Sequence, residues 1–293
     1  MRPLKIVVLA KQVPDTRNVG PDAMKPDGTV NRGKLPVIFN PDDLHALELA
    51  LNIKDRVPGS KVIILTMGPK RAADIVREGY YRGADDGVMI SDRRFGGADT
   101  LATSYTLVKG IEKIGNVDLI LGGRQAIDGD TAQVGPQSAE KLHIPQVTYV
   151  EEIISLSDDE IIAKRRLEKG VEVVSAPYPC LMTVHESSPV CRSREAKRVM
   201  QYKYARTETE LKSKTTPEYI RDLHEKRPYL TIPEWGVEDI DAEMEKIGLS
   251  GSPTKVKTVE SIVLTAEENK VLSDSDADIE MMIKELIENH TIG

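Results

Sequence analysis

A glycine-rich stretch with one arginine and two aspartates, residues 122–137, contains the residue types best suited to bind a charged ligand. The apolar run 117–121 before it indicates a buried strand, and residues 138–142 after it indicate a helix. A strand, a glycine-rich turn and a helix N-terminus leave backbone N–H groups available to an anion. Arg124 adds a guanidinium that can pair with two phosphate oxygens. The stretch therefore predicts a phosphate-binding turn.

Two acids in the same turn favour a different interpretation. Asp128 and Asp130 would repel a phosphate unless their side chains face away, and Asp130 is a suitable N-cap for the following helix. Neither the glycine spacing of a dinucleotide fingerprint nor that of a P-loop is present. A strand-turn-helix corner without any ligand is therefore an open alternative at this point.

No catalytic set of side chains and no metal site is predicted. The histidines are scattered without the spacing of metal ligands, and no serine or cysteine lies in a nucleophile elbow. The five positions are His45, His143, His185, His224 and His290. We therefore expect any chemistry to come from a bound cofactor.

Composition narrows the class of protein. The 293 residues are 40% hydrophobic, which is enough for a sizeable core, and the net charge of −7 argues against nucleic-acid binding. Cys180 and Cys191 have neither zinc-finger nor CxxC spacing. Because the strand-like run 4–10 begins almost at Met1, we expect no signal peptide, and no apolar run reaches membrane-spanning length. A reduced, cytoplasmic protein is the expectation.

Apolar runs that alternate with helical segments predict an α/β fold with a doubly wound, mostly parallel sheet. The predicted strands end at Ala10, Met67, Ser91 and Leu121, so the loops 10–11, 67–68, 92–100 and 122–134 meet at one edge. Asn40 is expected to cap a helix that begins at Pro41. Phe95, in the third of these loops, is interpreted as a plug or a lid.

The chain changes character after Pro145. Residues 146–155, 160–167, 171–175 and 180–186 indicate strands, interpreted as antiparallel additions to the sheet. The basic segment 189–200 predicts an exposed helix for an acidic partner. We therefore divide the chain into a nucleotide-binding domain, 1–204, and a C-terminal arm, 205–293, that packs on another subunit and ends in a helix over 278–289.

Taken together, these motifs resemble the β subunit of electron transfer flavoproteins. The matching segments run in order along nearly the whole chain: 11–15, 40–42, 67–69, 83–85, 123–133, 165–170 and 251–254. The resemblance implies an α/β subunit whose C-terminal arm embraces an α subunit that carries its own FAD. Arg124, Asp128-Gly129-Asp130 and Ala132-Gln133-Val134 resemble the electron-bifurcating group, whose β subunit binds a second FAD. The housekeeping group holds AMP in the same place.

Position by position, the resemblance implies a nucleotide pocket that serves either FAD or AMP. Its residues are Leu9, Ala10, Asn40, Pro41, Asp42, Asp43, Met67, Gly123, Arg124, Gln125, Ala126, Ile127, Asp128, Gly129, Asp130, Thr131, Ala132, Gln133 and Val134. NADH would approach along the remaining edge loops, where the candidates are Gly68, Asp92, Phe95, Asp99 and Thr100.

The implied activity is electron bifurcation. NADH would give a hydride to the flavin of this subunit, and the two electrons would then separate. One would pass through the α-subunit FAD to an acyl-CoA dehydrogenase-like flavoenzyme, and the other to ferredoxin or flavodoxin. Arg165 and Arg166 would stabilise a reduced flavin only if they point inward; as surface charges they would not.

Two alternatives remain open. One is a non-bifurcating electron carrier with structural AMP in the pocket. The other is a nucleotide-binding sensor of the universal-stress type, which shares the sheet architecture but leaves the arm and the strands after Pro145 unexplained.

Overall fold

A nine-stranded sheet forms the centre of this computed structural model, which describes residues 1–15, 36–254 and 270–289. The elements follow one another in this order: β1 (Lys5–Leu9), β2 (Gln12–Pro14), β3 (Val37–Phe39), α1 (Pro41–Arg56), β4 (Lys61–Met67), α2 (Ala73–Arg82), β5 (Asp86–Ile90), α3 (Thr100–Ile114), β6 (Leu119–Gly123), α4 (Val134–Leu142), β7 (Gln146–Leu156), β8 (Glu160–Leu167), β9 (Gly170–Pro177), β10 (Cys180–Val184), α5 (Ala196–Tyr202), β11 (Arg206–Thr207), α6 (Glu208–Leu211), α7 (Glu218–Lys226), β12 (Thr231–Ile232), β13 (Glu234–Trp235) and α8 (Asp276–Glu288).

The order across the sheet is β13-β5-β4-β1-β6-β10-β7-β8-β9. Every neighbouring pair from β13 to β7 is parallel, whereas β7, β8 and β9 are joined antiparallel. The predicted α/β fold with a mostly parallel sheet and antiparallel additions is therefore confirmed.

The chain reverses its direction of winding at β1. This strand lies between β4 and β6, so α1 and α3 cross to opposite sides of the sheet. In open α/β sheets a crevice forms at such a switch point, outside the carboxyl ends of the strands. The topology therefore places a ligand-sized crevice after Leu9 and Gly123.

The two faces of the sheet are covered by separate apolar layers. Ile6 and Val8 point toward α1 and α2, while Val7 and Leu9 point toward α3 and α4. All four side chains are buried, at 0 to 7% exposure. Successive side chains of a strand point to opposite faces, so a continuous apolar run is what a strand covered on both sides requires.

The last predicted strand joins the sheet differently from the expectation. Instead of adding antiparallel at the edge, β10 lies between β6 and β7 and is parallel to both. Its residues are all buried, which is the pattern of a central parallel strand. Only β8 and β9 pair antiparallel throughout.

Residues 205–254 pack differently from the expected arm. β13 pairs with β5 at the edge of the sheet, and Ile232, Val237 and Ile247 are buried in the two core layers. The first compact unit accordingly extends to Val256 instead of ending at residue 204. The segment has too few apolar residues to form a core of its own. Its apolar side chains are buried because they pack into the core of the sheet domain and because β13 pairs with β5.

The second unit covers Lys257–Gly293, and its described part contains α8. This helix confirms the one predicted over 278–289. Its packing on a partner subunit stays a prediction. Residues 16–34, whose Pro, Gly, Asp and Asn content predicts an excursion from the core, lie outside the described residues.

Candidate functional site

A cleft of about 900 Å³ opens at the carboxyl edge of the sheet. Its floor is formed at the ends of β1 and β6, and it extends along the ends of β4 and β5. This is the switch point of the topology, and the volume lies at the upper end of the range typical of small-molecule sites. All four loops that the sequence predicted to meet at one edge contribute to the cleft wall.

Most of the predicted pocket residues line this cleft. Among the nucleotide candidates these are Leu9, Ala10, Asp43, Met67, Gly123, Arg124, Gln125, Ala126, Gly129, Asp130, Thr131, Ala132, Gln133 and Val134; among the NADH candidates they are Gly68, Asp92, Phe95, Asp99 and Thr100. The remaining candidates do not line it: Asn40, Pro41, Asp42, Ile127 and Asp128.

The turn before α4 lines the cleft and contains backbone N–H groups without a partner in the described chain. In the described part of the chain, the N–H groups of residues 131–135 have no hydrogen-bond acceptor, and no side chain caps α4. Asp130 and Ala132 adopt positive φ angles of 49° and 52°, which costs energy in residues with a Cβ. Successive amides in such a turn form a concave anion site, and the helix dipole adds to it.

The predicted capping role of Asp130 is therefore wrong. The N-cap of α4 is Gln133, and the Asp130 carboxylate accepts a hydrogen bond of 2.9 Å from Gln125 Nε2. Because Asp130 and Ala132 have left-handed backbone conformations, the chain turns between Asp130 and the start of α4. Asp130 lines the cleft, so one negative charge does lie near the turn.

Gly123 brings β6 into direct contact with the start of α1. A Cβ at this position would lie 2.5 Å from the backbone carbon of Asp42 and 2.6 Å from Asp43 Oδ1. Instead, the Gly123 N–H donates to Asp43 Oδ1 at 2.9 Å, and the Lys11 N–H donates to Asp43 Oδ2 at 2.8 Å. The buried Asp43 carboxylate thus fastens the ends of β1 and β6 to one helix.

Burial dominates the protonation of Asp43. It raises the pKa of this carboxyl to about 7, while the hydrogen bonds from Lys11, Asn40 and Gly123 oppose the rise. Burial also raises the pKa of the neighbouring Asp42, with Arg124 acting against it. The floor of the cleft therefore contains an acid that titrates near neutral pH.

The sequence predicted that Asn40 caps α1, but its side chain forms no capping hydrogen bond. Its Nδ2 donates to the Gln125 carbonyl at 2.8 Å, and its Oδ1 accepts from the Ile127 N–H at 3.2 Å. Asn40 is fully buried. It stands at the N-cap position but uses its amide to hold the loop after β6.

We call residues 123–135 the cradle. The charged side chains around it are arranged in pairs. Lys11 Nζ lies 2.7 Å from Asp128 Oδ1, so this acid is neutralised on the wall and does not reach the cleft. Arg124 lines the cleft with its Nε 3.7 Å from Asp42 Oδ2. That Nε is buried without a hydrogen-bond partner in the described chain. Arg124 is therefore the side chain best placed to give hydrogen bonds to a phosphate.

An amide and hydroxyl network ties the first turn of α3 to that of α4. Thr100 Oγ1 donates to Gln133 Oε1 at 2.9 Å and accepts from Gln137 Nε2 at 3.3 Å. Ser104 Oγ lies 3.2 Å from Gln137 Oε1. Because the Gln133 side chain is engaged with α3, it leaves the N–H groups of α4 to a ligand.

The loop after β5 closes the other end of the cleft. Phe95 is buried at 4% exposure within the α3 layer, as expected for a plug. Asp99 caps α3 through the N–H groups of Leu101 and Ala102, and its other oxygen accepts from the Thr254 N–H. The C-terminal segment of the first unit thus supports this wall.

Some lining residues lie outside the loops and positions predicted from the sequence, among them Lys70, and Thr209 and Glu234 from the segment assigned to an arm. Arg93 also lines the cleft and belongs to the predicted loop 92–100. Lys70 lies three residues after the predicted strand end at Met67, and this position could have identified it. Glu234 had no such signal, because its position depends on the pairing of β13 with β5.

Two predicted basic groups are used within the chain. Arg165 donates to the carbonyl and hydroxyl of Thr148, at 3.0 and 2.8 Å, and Arg166 pairs with Glu151. Neither arginine lines the cleft. They brace the β7–β8 hairpin.

The basic segment 189–200 is largely exposed, but three of its arginines bind groups of the same chain. Arg192 pairs with the buried Glu48 at 3.0 Å, Arg194 with Glu78 at 2.7 Å, and Arg198 donates to two carbonyls at the end of α2. The expectation of a helix offered to an acidic partner is wrong for these three side chains, because acids and carbonyls of the same chain already bind them.

The described ranges contain no group of three His, Cys, Asp or Glu residues that could bind a metal ion. In the same ranges, no helix combines the length and the apolar character that crossing a membrane requires. The arrangement is instead suited to a phosphate-containing ligand with a large ring system, held by amides and one arginine.

Comparison with known proteins agrees with this geometry. Residues 27–208 match the family model of the electron transfer flavoprotein domain. The chain is 45% identical over 258 residues to the caffeyl-CoA reductase-Etf complex subunit CarD of Acetobacterium woodii, covering 86% of each chain. It is 44% identical to the acryloyl-CoA reductase electron transfer subunit gamma of Anaerotignum propionicum, again covering 86% of each. It is 42% identical to the electron transfer flavoprotein subunit beta of Clostridium acetobutylicum, covering 87% of this chain and 86% of that one.

Proposed function

Because this chain belongs to the electron transfer flavoprotein family as a β subunit, we propose that it holds FAD in its cleft and takes electrons there from NADH. It shares them between ferredoxin or flavodoxin and, through the FAD of an α subunit, an acyl-CoA dehydrogenase-like flavoenzyme. The proposal includes a cytoplasmic location and a heterodimer with that α subunit.

The length of the cleft carries the proposal. The cradle at residues 123–135 would by itself accommodate an adenylate, yet the cleft continues past Leu9 and Met67 to the ends of β4 and β5. A mononucleotide would leave that half without a ligand. FAD has a second nucleotide half and a flat ring system, and these match the additional length and the apolar side chains of Leu9 and Met67.

The residues of the cradle fit the phosphate end of FAD. The unpaired N–H groups of 131–135 and the uncapped end of α4 would bind the diphosphate, and Arg124 would add its guanidinium. Asp43 and Asn40 hold the loop and the strand ends in place, so these donors are positioned before the ligand arrives.

When bound, the flavin would supply the chemistry: it accepts a hydride, two electrons and one proton, from NADH, leaves NAD⁺, and releases the two electrons singly. The contribution of this chain is to bind, orient and shield. Phe95 fills the core beneath the loop after β5, and Gly68 lets the backbone turn at the end of β4 without a side chain. The Gly68 N–H is fixed on the Ile90 carbonyl at 3.0 Å, so it supports the wall.

The names of two relatives support the same activity. Caffeyl-CoA reductase and acryloyl-CoA reductase are complexes that act on CoA thioesters, and both contain a subunit similar to this chain. An acyl-CoA dehydrogenase-like flavoenzyme is therefore the proposed partner at higher potential. The universal-stress-type sensor is not proposed further, because the family match covers most of the nucleotide-binding region.

A carrier with structural AMP remains the second candidate. The same amides and Arg124 would bind its phosphate, and the Clostridium acetobutylicum relative is named only as an electron transfer flavoprotein subunit. The two candidates differ in the far half of the cleft, which is the part beyond Leu9 and Met67. FAD would enter this half, whereas AMP would not.

Counting the nucleotides tests the proposal. The chain is produced with its α subunit, and FAD and AMP are measured in the purified complex. We expect two FAD per heterodimer and NADH-dependent ferredoxin reduction that requires the high-potential acceptor. One FAD with one AMP would instead support the carrier and contradict bifurcation.

A further inference from the structure

Two neighbouring arginines in the loop after β5 have different roles. Arg94 is committed to the scaffold: it pairs with Asp92 at 2.6 Å and with Glu238 across the loop. The hydrogen bonds from Arg94 hold the pKa of Asp92 at about 2. Arg93 lines the cleft, and its side chain forms no ion pair or hydrogen bond within the described part of the chain. Its charge is therefore available to a ligand.

The end of β4 shows the same division. Lys70 lines the cleft and has no acidic partner in the described ranges, whereas the adjacent Arg71 lies outside the cleft wall. Lys70 and Arg93 follow adjacent parallel strands, so both belong to the far half of the cleft. The cradle at 123–135 already has its own donors, so these two cations are in excess of what one resident nucleotide needs.

An acid bounds this far half. Glu234 begins β13, which pairs with β5, and its Oε2 lies 3.3 Å from the Thr209 N–H. Among the described residues this weak hydrogen bond is the one that the Glu234 carboxylate forms, so most of its capacity to accept hydrogen bonds is unused. Both Glu234 and Thr209 line the cleft together with Lys70 and Arg93. The far half thus combines two uncommitted cations with one lightly bound carboxylate.

We propose that Lys70 and Arg93 bind the pyrophosphate of the dinucleotide that donates electrons, and that Glu234 makes the cleft select the donor without a 2′-phosphate. The inference rests on the proposed function and identifies the donor site of that reaction. A pyrophosphate carries two negative charges and matches a lysine and an arginine from separate loops. A carboxylate in the same cleft repels a further phosphate dianion and can accept a hydrogen bond from a ribose hydroxyl.

Equilibrium binding to the purified heterodimer tests this assignment. NAD⁺ and NADP⁺ are titrated separately, with flavin fluorescence or calorimetry as the readout, into the wild type and into Lys70→Gln, Arg93→Gln and Glu234→Gln. Arg71→Gln is the matched control, since it removes a neighbouring charge that does not line the cleft. The flavin content of each variant is measured first.

Loss of a charged hydrogen-bond donor should weaken NAD⁺ binding about tenfold for each of Lys70→Gln and Arg93→Gln, and leave Arg71→Gln unchanged. Glu234→Gln should raise the affinity for NADP⁺ relative to NAD⁺ by about tenfold. The FAD content should stay at the wild-type value in all four variants, because the cradle is not altered.

The outcomes separate this inference from the proposed function. A wild-type complex without FAD in the β subunit would contradict the proposed function, and the inference with it. A complex that keeps both flavins and binds NAD⁺ but shows equal affinities in Lys70→Gln, Arg93→Gln and wild type would overturn the inference alone. A flavin-containing wild type that prefers NADP⁺, or that binds neither dinucleotide, would also overturn it.

Discussion

The two halves of the cleft differ in how their polar groups are used. In the near half, Asp43, Asn40 and Gln133 are bound into the scaffold, and a row of backbone N–H groups in the cleft wall is left without a partner in the described chain. In the far half, Lys70 and Arg93 are side chains without a partner in the described chain. A rigid, pre-organised site suits a ligand that stays, whereas flexible exposed charges suit one that must leave after each turnover.

The halves also differ in how the chain builds them. The near half comes from one continuous loop, supported by the first turn of α1, whereas the far half combines the ends of β4 and β5 with Thr209 and Glu234. Substitutions in the near half should therefore affect both stability and the resident nucleotide. Those in the far half should have little effect on stability and should act mainly on the exchangeable ligand and on the ring end of the resident nucleotide.

The largest effect is expected for Gly123→Ala. The added Cβ would meet Asp42 and Asp43 at 2.5 to 2.6 Å, so β6 and α1 must separate. We expect a loss of about 3 kcal/mol of stability and nearly all of the bound nucleotide. Gly129→Ala is the control, because nothing lies within 4 Å of its Cβ. Denaturation curves and nucleotide content check both variants, and an undisturbed Gly123→Ala protein would contradict the pre-organised near half.

Asn40→Ala should have the next largest effect. It leaves the Gln125 carbonyl and the Ile127 N–H without their buried partner, at a cost of about 2 kcal/mol, and it loosens the cradle. Asn52→Ala on the same helix, whose side chain accepts one hydrogen bond from Arg192, should cost less and retain the nucleotide. The comparison uses urea unfolding together with the nucleotide dissociation constant. Equal nucleotide affinity in the two variants would mean that Asn40 does not position the loop.

The pH dependence of stability tests the buried acid beneath the near half. Between about pH 4 and 7 the folded chain keeps a proton on Asp43 that the unfolded chain releases. Stability should therefore fall as pH rises through this window and then level off. From pH 5 to pH 8 this group contributes a loss of about 3 kcal/mol.

Asp43→Asn removes this titration. The variant is expected to be less stable overall, because its amide offers one acceptor where the carboxylate offered two. The difference between wild type and variant should nevertheless shrink as pH rises from 5 to 8. A constant difference over that range would show that Asp43 does not titrate there.

The smallest effect is expected for Arg94→Gln, in the loop of the far half. Its guanidinium is exposed to solvent, and the ion pairs of such a group contribute little to stability. Thermal unfolding should change slightly, and NAD⁺ affinity should not change. If Arg94→Gln loses as much NAD⁺ affinity as Arg93→Gln, the two arginines do not differ in role as proposed.

The sequence predicted the near half better than the far half, for a physical reason. The residues of the cradle are adjacent in the chain, and a strand, glycines and a helix N-terminus identify an anion site by local geometry alone. The apolar runs of β1, β4, β5 and β6 likewise defined the parallel sheet. The two capping predictions in this half were wrong. The side chains of Asn40 and Asp130 form hydrogen bonds to Gln125 instead of capping a helix.

The far half depended on contacts between distant segments. Glu234 reaches the cleft only because β13 adds to the edge of the sheet beside β5, and a two-residue strand gives no periodic signal. The parallel insertion of β10 is a similar case, since its apolar run fits a central or an edge position equally well. The pairing of the arginines after Pro189 was not predicted, because Glu48 and Glu78 lie far away in the sequence.

The most direct test is an experimental structure of this chain with its α subunit and its bound cofactors. We expect FAD in the β subunit, with its diphosphate on the N–H groups of residues 131–135 and Arg124 and its ring system extending toward Met67. A structure with AMP alone in the cradle, or with no phosphate against those N–H groups, would contradict it.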